Sequence, residues 1–205
     1  MTTFICLVRH GETAWNAEGR FQGQTDVPLD ERGRIQAAEL AERLAAEPPF
    51  AAIYASDLVR ASETASIVGR RLGLPVTPEP GLREIDVGSW SGLRRAEIEV
   101  RWPDALGRWV AGEDAHDGES RGALAARVER AALALGSRHP GQRLLLVAHG
   151  GVIRSLQRTV QGTPDPVLAN CATWSFAISD GRLLPAGTPP APGALEPGGA
   201  RPPVR

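Results

Sequence analysis

The chain contains no lysine: all 23 of its basic residues are arginine, within a length of 205 residues. This absence excludes every chemistry that depends on a lysine amine. A Schiff base with a carbonyl substrate, the phosphate-binding lysine of a P-loop and the ATP-binding lysine of a protein kinase are all ruled out. The exclusion holds whatever the reason for the missing lysine.

Cysteine is nearly as scarce, since the sequence has only Cys6 and Cys171. Two cysteines without a repeated spacing form neither a disulfide framework nor a zinc site, and Cys6 is expected to be a small buried side chain. No apolar run approaches the length of a membrane span. A strand begins almost at the first residue, which leaves no room for a signal peptide, so we expect a cytoplasmic protein.

Charge and composition limit the class of protein and its domain organisation further. The 23 basic and 24 acidic residues give a formal net charge of −1, which argues against a nucleic-acid binder or a membrane-surface binder. From residue 185 onward the composition shifts to proline and glycine with little apolar content, and such a segment cannot order itself. We therefore expect one domain over residues 1–184 and a disordered tail over residues 185–205. A proline-rich ligand for a partner domain is the alternative for the tail.

Strand and helix patterns alternate along the chain. Apolar runs predict strands at 4–8, 51–55, 74–77 and 144–148, and a closing hairpin of 173–178 with 182–184. Apolar residues at helical spacing predict helices at 31–46, 58–72, 120–137 and 152–160. This alternation indicates an α/β fold with a mostly parallel central sheet and helices on both faces.

The first strand ends in residues that carry chemistry. Residues 5–13 are Ile-Cys-Leu-Val-Arg-His-Gly-Glu-Thr, and open α/β sheets bind ligands at the C-terminal ends of their strands. Arg9 supplies a fork of donors suited to phosphate or carboxylate. His10 supplies a nucleophile or proton carrier near neutral pH, and Gly11 lets a ligand approach the backbone. Taken alone, the pattern also fits a strand-end turn with solvated polar residues.

A second copy of this arrangement favours a functional site over a solvated strand-end turn. Residues 143–151 are Arg-Leu-Leu-Leu-Val-Ala-His-Gly-Gly, again an apolar strand that ends in His-Gly. Two further motifs lie between the copies, Ser-Asp-Leu-Val-Arg-Ala-Ser-Glu-Thr-Ala at 56–65 and Leu-Arg-Glu-Ile-Asp-Val-Gly at 82–88. In this order and at these separations, the four motifs make the chain resemble the histidine phosphatase superfamily, also called the phosphoglycerate mutase-like family, over about residues 4–180.

The resemblance implies a fold, an activity and a set of site residues. It implies a phosphoglycerate mutase-like sheet with a small helical cap, here at about residues 85–118, and a phosphatase that works without metal or cofactor. In that family the residue that matches His10 is phosphorylated during turnover. The residues that match Arg9, Arg60 and His149 bind the phosphoryl oxygens, and the residue that matches Glu84 handles the proton of the leaving group.

The chemistry accounts for these residue types without the resemblance. Transfer of a doubly charged phosphoryl group needs positioning and charge stabilisation, which two arginines and a second histidine can supply. A neutral imidazole can attack in line and divide one difficult displacement into two easier ones. The departing alkoxide needs a proton, and the same carboxyl group can then activate the water that hydrolyses phosphohistidine. Glu84 is the best candidate for that carboxyl group.

Four more residues are candidates for substrate binding. The family often has an asparagine at the position of Asn16 whose amide donates to phosphate or substrate, with a loop-stabilising role as the alternative. Gln22 and Gly23 lie in a segment that resembles one beside the family's pocket. Gly150 can present its backbone N–H at the start of a helix, which is a favourable place for an anion.

The predicted cap contains residues for which two interpretations stay open. Trp90, Trp102 and Trp109 are expected to pack beneath the cap, with contact to substrate as the alternative. Arg94 and Arg95 fit a solvated helix face, but at the rim of the pocket they could bind a second anionic group. A loop position is expected for His116, with contact to substrate as its alternative.

Three functions remain after this reasoning. The first is a small phosphomonoesterase, with a small phosphorylated metabolite as ligand, no nucleic-acid or membrane partner, and a homodimer as one open possibility. The second is a cofactor-dependent phosphoglycerate mutase, but mutases carry Glu-Arg-x-Tyr-Gly and His-Gly-Asn-Ser segments and a lysine that contacts phosphoglycerate, which this chain lacks. The third, a non-catalytic phospholigand-binding module, would need neither the nucleophile nor the acid.

Overall fold

Strands and helices follow each other much as the periodicity predicts in the computed structural model, which describes residues 1–163 and 168–186. The strands are β1 (Thr3–Arg9), β2 (Ala52–Ala55), β3 (Val76–Pro78), β4 (Arg143–Ala148), β5 (Thr173–Ser179) and β6 (Arg182–Pro185). The helices are α1 (Ala14–Ala17), α2 (Glu31–Ala45), α3 (Val59–Leu72), α4 (Arg95–Arg101), α5 (Ala105–Ala111), α6 (Arg121–Arg138) and α7 (Gly150–Gln161).

The strands within these described ranges form one six-stranded sheet in the order β3-β2-β4-β1-β5-β6. Strands β1 to β4 run parallel, while β5 and β6 form the predicted antiparallel hairpin at one edge. The mostly parallel α/β sheet is therefore confirmed. β1 and β4 are direct neighbours, with Arg9 opposite Ala148, so the two His-Gly strand ends leave the sheet side by side.

Helices cover both faces of the sheet, as predicted. Side chains alternate along a strand, so Cys6 and Val8 of β1 pack with α2 and α3. Ile5 and Leu7 face the opposite side and pack with α6 and α7. Cys6 is 3% exposed, which confirms its expected burial. The two apolar clusters thus place the strand ends that carry the histidines between two layers of helix.

Local signals explain where the boundaries differ from prediction. β3 begins at Val76 rather than residue 74, because Gly73 ends α3 in a left-handed conformation (φ 68°) and the chain needs a turn before it pairs. α7 begins at Gly150, two residues earlier than expected, with His149 as its N-cap. α1 was not predicted; it is a single turn capped by the Thr13 side chain, which accepts from the Asn16 N–H.

The region predicted as a cap contains α4 and α5. Trp90 is 1% exposed and packs edge-on against Phe21 and Trp109, with ring centroids 5.6 and 6.1 Å apart, which confirms its packing role. The same prediction was wrong for Trp102, which is 36% exposed. Within the described ranges, no helix is long and apolar enough to cross a bilayer. Residues 187–205, most of the predicted tail, lie outside the described residues, and the domain boundaries stay a prediction.

Candidate active site

His10 and His149 lie next to each other at the ends of β1 and β4. Their ring centroids are 5.2 Å apart, and both side chains are buried, with 3% and 0% of their surface exposed. The backbone N–H of His10 donates to the Ala148 carbonyl at 3.0 Å, which extends the parallel ladder by one residue. The pairing of β1 with β4 thus brings together two histidines that are 139 positions apart in sequence.

The His10 ring is fixed in one tautomer. Its Nδ1 lies 2.6 Å from the Gly11 carbonyl oxygen, and since a carbonyl can only accept, Nδ1 carries the proton and Nε2 keeps a lone pair. Burial, followed by the positive charges of Arg60 and Arg9, lowers the pKa of His10 well below its usual 6.5. His10 is therefore neutral at physiological pH and has a free nucleophilic nitrogen.

Arg60 and Arg9 supply positive charge beside His10. The guanidinium of Arg60 donates to the carbonyls of Thr25 at 2.8 Å and Gly23 at 2.7 Å, and that of Arg9 donates to the Leu168 carbonyl. Burial lowers the pKa of Arg60 to about 10, so it stays protonated at neutral pH. Backbone carbonyls fix both side chains without neutralising them, which leaves their charge available to a phosphoryl group.

His149 lies behind His10 and is oriented by a serine. Its Nε2 is 2.8 Å from the hydroxyl of Ser56, which is itself fully buried. Within the part of the chain that the structure describes, His149 Nδ1 and the Nε atoms of Arg9 and Arg60 are buried without a hydrogen-bond partner. Buried polar atoms normally have partners, so the two arginine Nε–H groups, on side chains that line the same cavity, are donors left available to a bound anion.

Glu84 faces this group from the loop between β3 and α4. Its Oε1 accepts from the Ile85 N–H at 2.8 Å, and its Oε2 accepts from the Gly151 N–H at 3.0 Å. Two backbone N–H groups on different segments therefore fix the carboxylate beside the N-terminus of α7. This placement fits a group that exchanges a proton with a leaving oxygen or a water.

Arg127 on α6 holds the Glu84 loop in place and was not predicted from the sequence. Its guanidinium donates to the carbonyls of Gly81 at 3.0 Å and Arg83 at 2.9 Å, and it forms an ion pair with Glu119 at 2.7 Å. Arginine on a helix gives no sequence signal for such a role, because only the packing of α6 against the loop brings these groups together.

A cavity of about 220 Å³, hereafter the catalytic cavity, collects most of the predicted residues. From the predicted catalytic set it is lined by Arg9, His10, Arg60 and Glu84; His149 lies behind His10 and does not line it. From the predicted binding set it is lined by Asn16, Gln22, Gly23 and Gly150. Sequence reasoning missed Arg20, Gly151 and Arg154. Helical spacing could have found Arg154, since it lies four residues after Gly150 on one helix face.

Asn16 stabilises its loop, and donation of its amide to phosphate or substrate stays a prediction. Its Oδ1 is 3.2 Å from the Thr13 hydroxyl and accepts from the Asn170 amide at 3.2 Å, while the residue also lines the catalytic cavity. Asn170, another residue that was missed, donates from the same amide to the His10 carbonyl at 3.0 Å. The two asparagines thereby join the loop after β1 to the segment before β5.

The structure locates the cap residues for which two interpretations were open. Trp109 packs on Trp90, which confirms its packing role, and because it also lines the catalytic cavity, contact with substrate stays a prediction. The ring of His116 lies 4.7 Å from that of Trp109 and does not line the catalytic cavity. Arg94 is exposed and pairs with Glu18 at 3.4 Å, which agrees with a solvated helix face.

No group of three or more histidine, cysteine or acidic side chains in the described ranges is arranged to bind a metal ion. The site consists of a neutral imidazole with a free Nε2, the fully buried Arg60, the half-buried Arg9 and a carboxylate held by two backbone N–H groups. Together with the strand-end position of these groups in a parallel sheet, this defines an α/β enzyme that handles a phosphoryl group.

Comparison with known proteins identifies the family. The model of the histidine phosphatase superfamily (branch 1) matches residues 5–181. A metal-independent phosphoserine phosphatase of Arabidopsis thaliana is 41% identical over 188 residues, covering 89% of this chain and 79% of that protein. A glucosyl-3-phosphoglycerate phosphatase of Mycobacterium tuberculosis is 40% identical over 196 residues, covering 88% and 86%.

The structural comparison agrees. The solved structure of YhfR from Bacillus stearothermophilus superposes with a TM-score of 0.83 at 33% identity, covering 92% of this chain and 98% of that one. The chain therefore belongs to the histidine phosphatase superfamily. This confirms the predicted class, an acid-type phosphatase that hydrolyses small phosphomonoesters.

The space for the Glu84 carboxylate depends on Gly151. A Cβ at this position would lie 2.2 Å from Glu84 Oε1, so Gly151→Ala has to displace the carboxylate. Alanine favours helix, so we expect a stable protein whose hydrolysis of alkyl phosphates falls about a hundredfold, the usual contribution of a positioned acid. Gly122→Ala on α6 is the control, because its Cβ meets nothing nearer than 3.9 Å. Unchanged kinetics in Gly151→Ala would show that the position of Glu84 is not critical.

The lowered pKa of His10 and His149 predicts a specific titration behaviour. Because burial favours the neutral rings, both should remain neutral as the pH falls through 6.5, where an unperturbed imidazole becomes charged. The unfolded chain takes up these protons at that pH, so folded stability should decrease as the pH falls below it. Ring ¹³C NMR and denaturant titrations across pH measure both effects. Ring resonances that titrate near pH 6.5 would contradict the prediction.

Proposed function

We propose that the enzyme hydrolyses phosphomonoesters in two steps through a phosphohistidine on His10. The observation that carries this proposal is the neutral, buried His10 ring, whose Nδ1 proton is held by the Gly11 carbonyl and whose Nε2 is free. Arg9 and Arg60 bind the oxygens of the transferring group, and His149 supports it from behind. The backbone N–H of Gly150 adds a donor at the helix N-terminus.

In the first step, the lone pair of His10 Nε2 forms a bond to phosphorus while the ester P–O bond breaks. Glu84 in its protonated form gives its proton to the departing oxygen, so that an alcohol leaves rather than an alkoxide. In the second step, the Glu84 carboxylate takes a proton from water as the water oxygen attacks phosphorus. The P–N bond breaks, the lone pair returns to Nε2, and phosphate leaves with the enzyme restored.

Hydrolysis is favoured over mutase activity by the residues at the cavity. The mutases have an asparagine after His-Gly, whereas this chain has Gly151 there, and the Gly151 N–H donates to Glu84. The chain also has no lysine to contact phosphoglycerate. Incubation with 3-phosphoglycerate, followed by ³¹P NMR, distinguishes the two. Release of inorganic phosphate supports the phosphatase, whereas accumulation of 2-phosphoglycerate supports the mutase. Turnover of p-nitrophenyl phosphate would exclude a non-catalytic binding module. The cytoplasmic location and the formation of a homodimer stay predictions.

Removal of metal ions is expected to leave turnover unchanged. The groups that act on phosphate here are arginine and histidine side chains with backbone N–H groups, which already supply the positive charge and donors that a metal would give. Dialysis against EDTA, followed by assay with p-nitrophenyl phosphate, tests this. Loss of activity that Mg²⁺ or Zn²⁺ restores would overturn the metal-independent mechanism.

A further inference from the structure

A second cavity of about 350 Å³, hereafter the distal cavity, adjoins the catalytic cavity. The two cavities share Ile85, Trp109, Gly151 and Arg154 in their walls. A substrate whose phosphoryl group lies at His10 can therefore extend past Trp109 into the distal cavity. This second space has no role in the transfer of the phosphoryl group, so its lining bears on the rest of the substrate.

The distal cavity is strongly basic. Four arginines line it, Arg95, Arg121, Arg154 and Arg158, and no acidic residue of the described ranges does. Within the described ranges none of the four forms an ion pair, whereas Arg20, Arg34 and Arg83, among others, pair with carboxylates at 2.5 to 2.6 Å. Like charges around one space repel each other, and an anion placed among them relieves that repulsion.

Arg121 is held rigidly toward this space. Its guanidinium stacks on the Trp109 ring with 3.8 Å between Cζ and the ring centroid, and it donates to the Trp109 carbonyl. Its Nε is buried and has no partner in the described part of the chain. Burial and the positive charge of Arg158 lower the pKa of Arg121, with Asp114 acting in the opposite direction. The Arg121 Nε–H is therefore a donor without a partner on a side chain that lines the distal cavity.

The positions of Arg154 and Arg158 on α7 give the distance from the catalytic cavity to the distal cavity. Gly150, Arg154 and Arg158 are spaced by four residues and lie on one face of the helix. At 1.5 Å of rise per residue, the backbone of Arg154 lies about 6 Å and that of Arg158 about 12 Å from Gly150 along the axis. The face therefore carries an anion-binding helix N-terminus followed by two cations in line.

We propose that the distal cavity binds a second anionic group, a carboxylate or a phosphate, on the part of the substrate that is not transferred. The preferred substrates are then phosphomonoesters with a second anion several bonds from the ester oxygen. The arginine fork suits both kinds of anion, and Trp109 gives the connecting segment an apolar wall. This inference rests on the proposed phosphatase function and narrows its substrate class.

The test compares three series of substrates of increasing chain length: alkyl phosphates, ω-carboxyalkyl phosphates and α,ω-alkane diphosphates. We expect a charged end group to raise kcat/KM about tenfold at one favoured length, as hydrogen bonds to charged groups contribute. The preference should shrink at high salt, because the cavity is partly open to solvent. Comparison of the last two series shows whether the cavity prefers carboxylate or phosphate.

The matched variants are Arg158→Gln and Arg70→Gln, both at exposed helix positions. Arg158→Gln should bring the ratio of kcat/KM for charged over uncharged substrates toward one, mainly through KM. Arg70 on α3 does not line either cavity, so Arg70→Gln should leave the ratio as it is in the wild type. A wild type without the preference, or a preference that persists in Arg158→Gln, would overturn the proposal.

A binding measurement separates this inference from the proposed function. Phosphonates are not hydrolysed, so calorimetric titration with matched alkyl and ω-carboxyalkyl phosphonates tests the distal cavity without turnover. Tighter binding of the carboxyalkyl phosphonate by the wild type than by Arg158→Gln supports the distal site even if none of the esters is hydrolysed. Equal binding of both phosphonates by the wild type refutes it even if all esters are hydrolysed.

Discussion

Replacement of His10 with alanine is expected to abolish both phosphate release and labelling of the protein by the phosphoryl group. The described part of the site has no other neutral ring with a free nitrogen facing the catalytic cavity, since His149 lies behind His10 and uses Nε2 on Ser56. Loss of a covalent nucleophile commonly lowers kcat by about a thousandfold or more. Rapid acid quench after incubation with ³²P-labelled substrate measures the phosphoenzyme directly.

His139→Gln is the matched control for this prediction. His139 bonds to Tyr54 at 2.8 Å and to Gln142 at 2.8 Å, and it does not line the catalytic cavity. The control should retain turnover and labelling. A phosphoenzyme that still accumulates in His10→Ala would assign the covalent step to His149 or to a different mechanism.

Replacement of Glu84 with glutamine should have an effect that depends on the leaving group. Alkyl phosphates release a poor alkoxide, so loss of the acid should reduce their hydrolysis about a hundredfold or more. p-Nitrophenyl phosphate releases a phenolate that needs little protonation, so the hydrolysis rate on this substrate should fall much less. Rates on both substrates across pH measure the difference.

Asp86→Asn provides the comparison, because Asp86 is the nearest alternative acid in the sequence. Its carboxylate accepts from the Gly88 N–H at 2.9 Å, and the residue is exposed and outside the catalytic cavity. Asp86→Asn should leave the ratio of the hydrolysis rates on the two substrates unchanged. Equal losses on both substrates in Glu84→Gln would mean that Glu84 acts mainly on the water of the second step, and a selective loss in Asp86→Asn would identify Asp86 as the acid.

Much of the fold and most of the candidate catalytic set could be predicted from the sequence alone. Apolar runs and helical spacing are local properties, so they located the strands and helices to within a few residues. Among the candidate site residues, Arg9 ends β1, and His10 and His149 directly follow β1 and β4; parallel strands place their C-terminal ends at one edge of a sheet. A pattern that is local in sequence thus fixed which side chains would meet there.

Contacts between distant segments were decided only by the tertiary structure. Ser56 orients His149, Asn170 joins the His10 loop, and Arg127 anchors the Glu84 loop, yet none of these residues belongs to a local pattern that announces its partner. The neutral state of His10 also needs the fold, because burial comes from packing on all sides and not from neighbours in sequence. The same holds for the distal cavity, where α4, α6 and α7 bring four arginines to one space.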